Sequence, residues 1–475
     1  MNWIGRAILF ILSTITILAC EREFVFRGGE EGLTFSTDTI MFDTIFTSIG
    51  STTKNFRVYN PYPEDMSIES IELAGGEESG FRLNINGYSE NHLEEIQIRA
   101  NDSLYIFVEV TIDPIGSNKP FVVTDSIYFR TKDRMQTVQL VAYGQDVVIL
   151  KEQILKSQTL TNEKPYLIYD YVLVDTTESV SIDPGARLYF YKDASLLVLG
   201  TLEVNGSVEE PVLFAGHRQE EWYMDKPGQW GYIHLLPGSG PSKFNNCIIK
   251  NGMMGILADS VGINSEPITI NNTVIEHIST FGLLAQTSNI EVSNSVFGDC
   301  GKNSAALTVG GSYTFDHCTF ANYFDWTFRS APAVFLNNYF LDKNNEAQII
   351  PLKKANFNNC IIYGNNRSEL GFDIEYTEDI PMDTDAKYQF QSSIIKASED
   401  LDMSDETKFK NIFRNVDPNF KNINEYNYQL DTLSPAKDTI ANLELAKPFP
   451  TDILGNNRLE DEGPDLGAYE RIEKK

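Results

Sequence analysis

The sequence predicts an all-β chain in which a β-sandwich of immunoglobulin type precedes a parallel β-helix. Three observations carry this. The first is a repeat near 22 residues long, in which an apolar residue, a polar spacer and usually Asn are followed by a small residue and two apolar ones. Phe244-Asn245-Asn246-Cys247-Ile248-Ile249 and Ile270-Asn271-Asn272-Thr273-Val274-Ile275 are its first clean copies, and residues 292–297, 315–320, 336–341, 357–362 and 390–395 follow. The third positions (Asn246, Asn272, Asn294, His317, Asn338, Asn359, Ser392) are spaced by 26, 22, 23, 21, 21 and 33 residues. The second observation is a run of about eight short alternating strands with regular turn signals between residues 34 and 148. The third is an aromatic content dominated by 29 Phe and 22 Tyr, the side chains that fill pleated, half-buried surfaces.

The N-terminus carries an address. Asn2 and Arg6 precede or flank the apolar run 7–18, which is short for a membrane span and right for a signal-peptide core. It ends in Ile17-Leu18-Ala19-Cys20, which resembles the bacterial lipobox. That resemblance implies cleavage after residues 1–19, lipidation of Cys20 and attachment to a membrane by several acyl chains, one chain alone being too weak. The implied address is the envelope of a Gram-negative bacterium, at the outer membrane; periplasmic and surface faces both stay open. Residues 20–33 form a tether.

Residues 34–148 read as the sandwich, punctuated by Pro61, Pro63, Gly75-Gly76, Asn86-Gly87 and Asp113-Pro114. With Phe56-Arg57-Val58-Tyr59-Asn60, Phe81-Arg82-Leu83 and the closing stretch 138–144, this segment resembles Hydin-type immunoglobulin-like modules, which implies a spacer or docking unit. Residues 149–179 are expected to be a linker and N-terminal cap.

The solenoid is expected over 180–412. Its coils stack at the ordinary interstrand spacing of about 4.8 Å. Phe244, Ile270, Val292, Phe315, Leu336, Phe357 and Phe390 should form one interior column, and Asn246, Asn272, Asn294, Asn338 and Asn359 a ladder of amides bonded to one another and to the turn backbone. The opening pattern, Gly185 to Phe190 and then Leu196 to Gly200, is similar to the first turns of pectate-lyase-like β-helices, which implies a right-handed tube. This fold hosts lyases, hydrolases, epimerases, adhesins and scaffolds, so the likeness does not select a reaction.

Residues 413–475 are expected to cap the tube. The blocks Asp417-Pro418-Asn419-Phe420, Ser434-Pro435-Ala436, Asp452-Ile453-Leu454-Gly455 and Pro464-Asp465-Leu466-Gly467-Ala468-Tyr469-Glu470 resemble the terminal segment of many secreted bacterial β-helix proteins. Closing the last coil protects strand edges. Arg458 is placed to pair with Asp452, Asp465 or Glu470.

A net charge of −29 excludes a nucleic-acid partner, since phosphates need a basic surface. No cofactor is indicated; bound Ca2+ is compatible with the charge, and no metal motif is present. Beyond Cys20, the cysteines Cys247, Cys318 and Cys360 share the small position of the repeat and, with Cys300, read as buried packing residues; equivalent positions on non-adjacent coils are too far apart to bridge.

No catalytic residue is recognised. Phe315-Asp316-His317-Cys318 holds an Asp-His pair, but His317 falls in the Asn column. Asp299, Asp325, Asp342 and Asp373 stand at turns, where Asp is common for conformational reasons. The candidate ligand-binding residues are Trp222, Trp230, Trp326 and Arg329, aromatics and a cation in two polar interruptions of the repeat; the alternative is that they pack loops against the tube wall. The acidic insertion 369–385 sits on one flank.

The leading expectation is a non-enzymatic cell-envelope lipoprotein that presents the β-helix to a polysaccharide or an envelope protein. The alternatives are a polysaccharide lyase or glycoside hydrolase of this fold, and a structural adhesin. An enzyme needs two carboxylates and a cation on neighbouring coils. A glycan binder needs solvent-facing Trp or Tyr, and an adhesin needs neither.

Overall fold

The computed structural model describes residues 32–132, 134–263, 266–376, 386–438, 441–460 and 462–472. The expected signal peptide and Cys20 lie outside them, as do residues 377–385 of the acidic insertion. The chain divides into two compact units, Met1–Asp146 and Val147–Lys475.

The first unit is a β-sandwich. One sheet has the order β1 (Thr34–Phe35), β3 (Lys54–Tyr59), β7 (Ser103–Val110), β5 (Phe81–Ile85). The other runs β2 (Thr39–Phe46), β9 (Arg134–Gln145), β8 (Phe121–Thr131), β4 (Met66–Leu73), β6 (His92–Ile98). Strict alternation drives the packing: in β7, Leu104, Ile106, Val108 and Val110 point inward while Tyr105, Phe107 and Glu109 point out. The β2–β9 pair is parallel, the other pairs antiparallel. Buried Asn60 satisfies the carbonyls of Glu64, Ile98 and Arg99 where the chain turns between sheets.

The second unit is the right-handed β-helix, a 24-stranded parallel stack that begins earlier than the sequence indicates. Val148–Leu155 pairs in parallel with Tyr166–Val174, so residues 149–179 form strands of the first coils, not a linker. The reason lies in Leu150, Leu155, Leu160, Ile168, Val172 and Val174, all buried in the solenoid core.

The interior column is Phe244, Ile270, Val292, Phe315, Phe357, Phe390 and then Phe409. Its last rings stack face to face at 4.7, 4.6 and 5.5 Å, each such pair adding about 0.5–1.5 kcal/mol to simple burial. Leu336 is not in it. It pairs with Leu307 and Phe372 in a neighbouring column, because the chain leaves the coil after Asn337 as the hairpin Tyr339–Leu341/Ala347–Ile349. The segment 336–341 therefore imitates a repeat without being one.

Asn246, Asn272, Asn294, His317, Asn359 and Ser392 all hold left-handed backbone with φ of 46–52°. This conformation, which Asn tolerates best after Gly, explains the repeat's preference. Asn338, at the hairpin, is outside the set; its amide exchanges hydrogen bonds with the backbone of Glu375. The ladder of side chains stands one residue earlier than expected. Asn271 donates to Asn245 at 3.1 Å, Ser293 to Asn271 at 2.8 Å, and Asn358 to Asp316 at 2.9 Å. Of the left-handed residues, Asn294, His317 and Asn359 meet the C-terminal segment, while Asn246 donates to Gly206 O.

That segment is a strap along the tube's flank, not a plug at its end. Asn294 donates to Thr451 O, Asn359 bonds the backbone of Asn442, and the Ala468 amide donates to Thr319 Oγ1. Gly467, at φ 82°, passes so close that a Cβ would lie 2.4 Å from Thr319 Oγ1. Tyr428, Ile453 and Ala468 cover Val296 and Ala321, while Leu430, Ala436 and Leu466 cover Ile361 and Ile394. Buried Arg458 pairs with Glu470 at 3.2 Å and donates to Asn294 Oδ1 and Gly467 O. Asp452 instead organises its own turn, accepting from the amides of Leu454, Asn456 and Glu470, and Asp465 accepts from those of Asp438 and Arg471.

Cys247, Cys300, Cys318 and Cys360 are buried free thiols. Since Phe357 follows Phe315 directly, Cys318 and Cys360 are neighbours on adjacent coils, contrary to the spacing inferred from the repeat.

Candidate functional site: an aromatic and carboxylate face

A second left-handed column forms one corner of the tube. Asn251, His277 and Asp299 have φ of 67, 52 and 50°. Each stands five residues after a repeat position (Asn246, Asn272, Asn294), a recurrence present in the sequence that matches no catalytic motif. Beside it, Lys250 and Glu276 are paired on adjacent strands.

Two loops approach this corner. Residues 217–232 leave the coil after Val212–Gly216 and are pinned by Gln229, which donates to Tyr223 O and Lys226 O, and by Asn251, which donates to Met224 O and Lys226 O. Arg218 binds Glu220 through two nitrogens and covers the Tyr223 ring at 3.8 Å. The second loop, from Tyr323, carries Trp326 to Trp222, with ring centroids 5.9 Å apart and edge to face. Trp222 is 66% exposed and Phe328 is 93% exposed.

Asp225, three residues after Trp222, belongs to a set of ionisable groups at this corner. Asp225 Oδ1 is 3.5 Å from His277 Nε2 and 3.8 Å from Lys250 Nζ. Burial pushes the Glu276 carboxyl up to about 7, with Lys250 pulling it down and Asp225 pushing it up. Asp299 is buried and accepts a 2.5 Å hydrogen bond from Tyr428 of the strap. Burial raises it to about 8 despite that bond, and the nearby Glu276 charge adds to the rise. Burial pushes His277 down to about 4, so its imidazole is neutral at pH 7, packed on the Tyr426 ring. Asp299 Oδ1, His277 Nδ1 and Trp326 Nε1 have no hydrogen-bond partner among the described residues. Among those residues no group of three or more His, Cys, Asp or Glu is placed to hold a metal.

The four expected binding residues divide. Trp222 and Trp326 meet, as described. Trp230 is buried, stacked on Phe190 at 4.1 Å with its indole N–H bonded to Lys250 O, so it packs the core. Arg329 is also buried; it forms two bonds of 2.7 and 2.8 Å to Glu369 and caps the carbonyls of Asn322 and Ala331. Its charge is consumed by structure. His317 is buried against Asn359 and the strap, and burial holds it well below the usual imidazole range.

The right handed beta helix region family matches residues 231–383, less than half of the chain. No curated protein matches. Among solved structures, the chain is similar to a family 123 glycoside hydrolase from Clostridium perfringens, with 7% identity over 26% of this chain and a TM-score of 0.19; it spans 30% of that protein. It is similar to the Agl-KA catalytic domain with 11% identity, covering 72% of this chain and 80% of that one at a TM-score of 0.20. For the catalytic domain of a GH87 alpha-1,3-glucanase in complex with tetrasaccharides the values are 11%, 76%, 90% and 0.20. Likenesses of this size carry no argument about function.

Proposed function

We propose that the protein is an envelope lipoprotein, anchored through Cys20, whose aromatic and carboxylate face binds a glycan. The observation that carries this is the convergence of Trp222 and Trp326, from loops about 100 residues apart, edge to face and with Trp222 66% exposed. Sugar rings offer apolar C–H faces to an exposed indole and hydroxyls to a half-exposed carboxyl group such as that of Asp225. In this reading the sandwich is a Hydin-type spacer between outer membrane and solenoid.

One feature supports a second reading, glycoside hydrolysis. Glu276 is half-buried and its carboxyl is pushed up to about 7, as a general acid requires, and Asp225 is near enough to add to that rise. Lys250 supplies a cation on the coil next to Glu276.

The test uses soluble protein beginning at Glu21 and a panel of neutral, amino and acidic glycans, reading both retention and new reducing ends. Trp222→Ala should weaken retention roughly 2- to 13-fold at unchanged melting temperature, the equivalent of one lost ring contact. Equal retention by the variant removes the face from the argument. Products that vanish in Glu276→Gln, with retention kept, establish the second reading.

A further inference from the structure

On another side of the solenoid lies a groove of about 300 Å3 lined by Lys353, Lys354, Lys387 and Lys408 together with Asn356, Gln389, Thr407 and Tyr388. Among the described residues its lining has no carboxylate, in a chain with 67 acidic and 38 basic residues. Such segregation is costly. Leu352 pairs with Ala386 and Ala355 with Tyr388, so Lys353 and Lys354 bulge out opposite Lys387 on the adjacent strand. Like charges set across a strand pair repel.

The lysines rise from three successive coils. Lys353 and Lys354 belong to the strand Leu352–Asn358, Lys387 to Ala386–Ile395, and Lys408 immediately precedes Phe409–Arg414. Two steps of the stack separate the first ammonium groups from the last, about 10 Å along the tube axis. Between them Asn356 and Gln389 are in register, presenting amides along the same line.

Two of the charges are partly answered. Lys408 lies 3.7 Å from Asp405 and over the Tyr388 ring, and Lys354 acts on half-buried Asp316, lowering its pKa against the rise from burial and Glu291. Lys353 and Lys387 are exposed and have no ion pair among the described residues. An anion lying along the groove would offset the repulsion between them.

We propose that this groove is a second binding site, for an acidic polysaccharide whose carboxylate or sulfate groups recur along the chain. A polymer with one anion per sugar or disaccharide meets lysines that recur coil by coil, while its hydroxyls meet Asn356 and Gln389. The net charge of −29 opposes a long nucleic acid, which would face acidic surface beyond the groove. The site stands on different residues from the aromatic face and does not depend on it.

The experiment measures retention of the soluble protein on immobilised polygalacturonate, a sulfated glycan, dextran and single-stranded oligonucleotide. The expected result is salt-sensitive retention on the carboxylated or the sulfated polymer, weakened roughly 2- to 30-fold in Lys353→Gln/Lys387→Gln and unchanged in Trp222→Ala. Which polymer is held identifies the anion. Melting temperatures should agree, since both lysines are exposed. The proposal is overturned if neither acidic polymer retains the protein, if the double variant is retained as well as the parent, or if dextran or the oligonucleotide is held better than both. Equal retention of Trp222→Ala and parent on every glycan of the first panel, with the lysine effect intact, would refute the aromatic reading and leave this one standing.

Discussion

Replacing Asp299 by Asn tests whether the buried carboxyl at the corner of the tube carries a proton. Asn keeps the shape and an oxygen that can accept from Tyr428, but it cannot ionise. In the parent, burial lifts the carboxyl from 3.8 to about 8. Between these values the native state holds a proton that the unfolded chain has lost. The folded pKa is raised, so stability is greatest below about pH 4 and falls as pH rises towards 8. At pH 7 the penalty is the 3.2-unit gap above 3.8 times 1.36 kcal/mol, about 4 kcal/mol, which the variant does not bear. Over a unit of the size of Val147–Lys475, an unfolding entropy of about 2.1 cal/mol/K per residue turns that into about 6 °C. Any cost of the amide itself is the same at every pH.

The assay is thermal unfolding of parent and Asp299→Asn between pH 4 and 9, followed by near-ultraviolet circular dichroism. The difference in melting temperature should move in the variant's favour from pH 4 to about 8 and then level off. A constant difference, or one that moves in the parent's favour as pH rises, would show that Asp299 ionises normally and that the floor of the face is wetter than its burial indicates.

Arg329→Ala should lower stability by about 3–5 kcal/mol, because it leaves Glu369 buried with its charge unanswered, and Glu369→Gln in the same chain should recover part of the loss. A melting temperature equal to the parent's would return Arg329 to the ligand-binding candidates. Arg458→Met should free the strap by unpairing Glu470 and Asn294, so limited proteolysis within residues 416–472 should accelerate while far-ultraviolet dichroism of the tube persists. Unchanged cleavage would mean that the apolar contacts of Tyr428, Ile453 and Leu466 hold the strap without it.

What could be read from the sequence is what is local. The left-handed turn after each core residue makes its demand within one position, so Asn recurs at Asn246, Asn272, Asn294 and Asn359. The interior column likewise writes itself as Phe and Ile at a fixed offset. The same logic misled at Asn338 and Leu336, where a hairpin insertion kept the local motif and lost the coil. Trp230 failed for a related reason: an aromatic in a polar stretch looks exposed until Phe190, 40 residues earlier, is known to lie beneath it. Arg329 looked free until Glu369 closed on it.

The candidate site was the least legible part because the strap completes it. Asp299 alone is a turn residue, one Asp among many. It becomes a proton-holding group through burial, to which Tyr428, 129 residues later, contributes by packing over it, although the hydrogen bond Tyr428 donates works in the opposite direction. Tyr426, also from the strap, packs on the His277 ring. The terminal segment therefore contributes more than closure of the fold: its aromatic side chains help bury the carboxyl of Asp299 and the imidazole of His277, and burial is what shifts both groups. A truncation after the last coil, near Arg414, would expose Asp299 and let it ionise, so the strap and the face should fail together even where the tube remains folded.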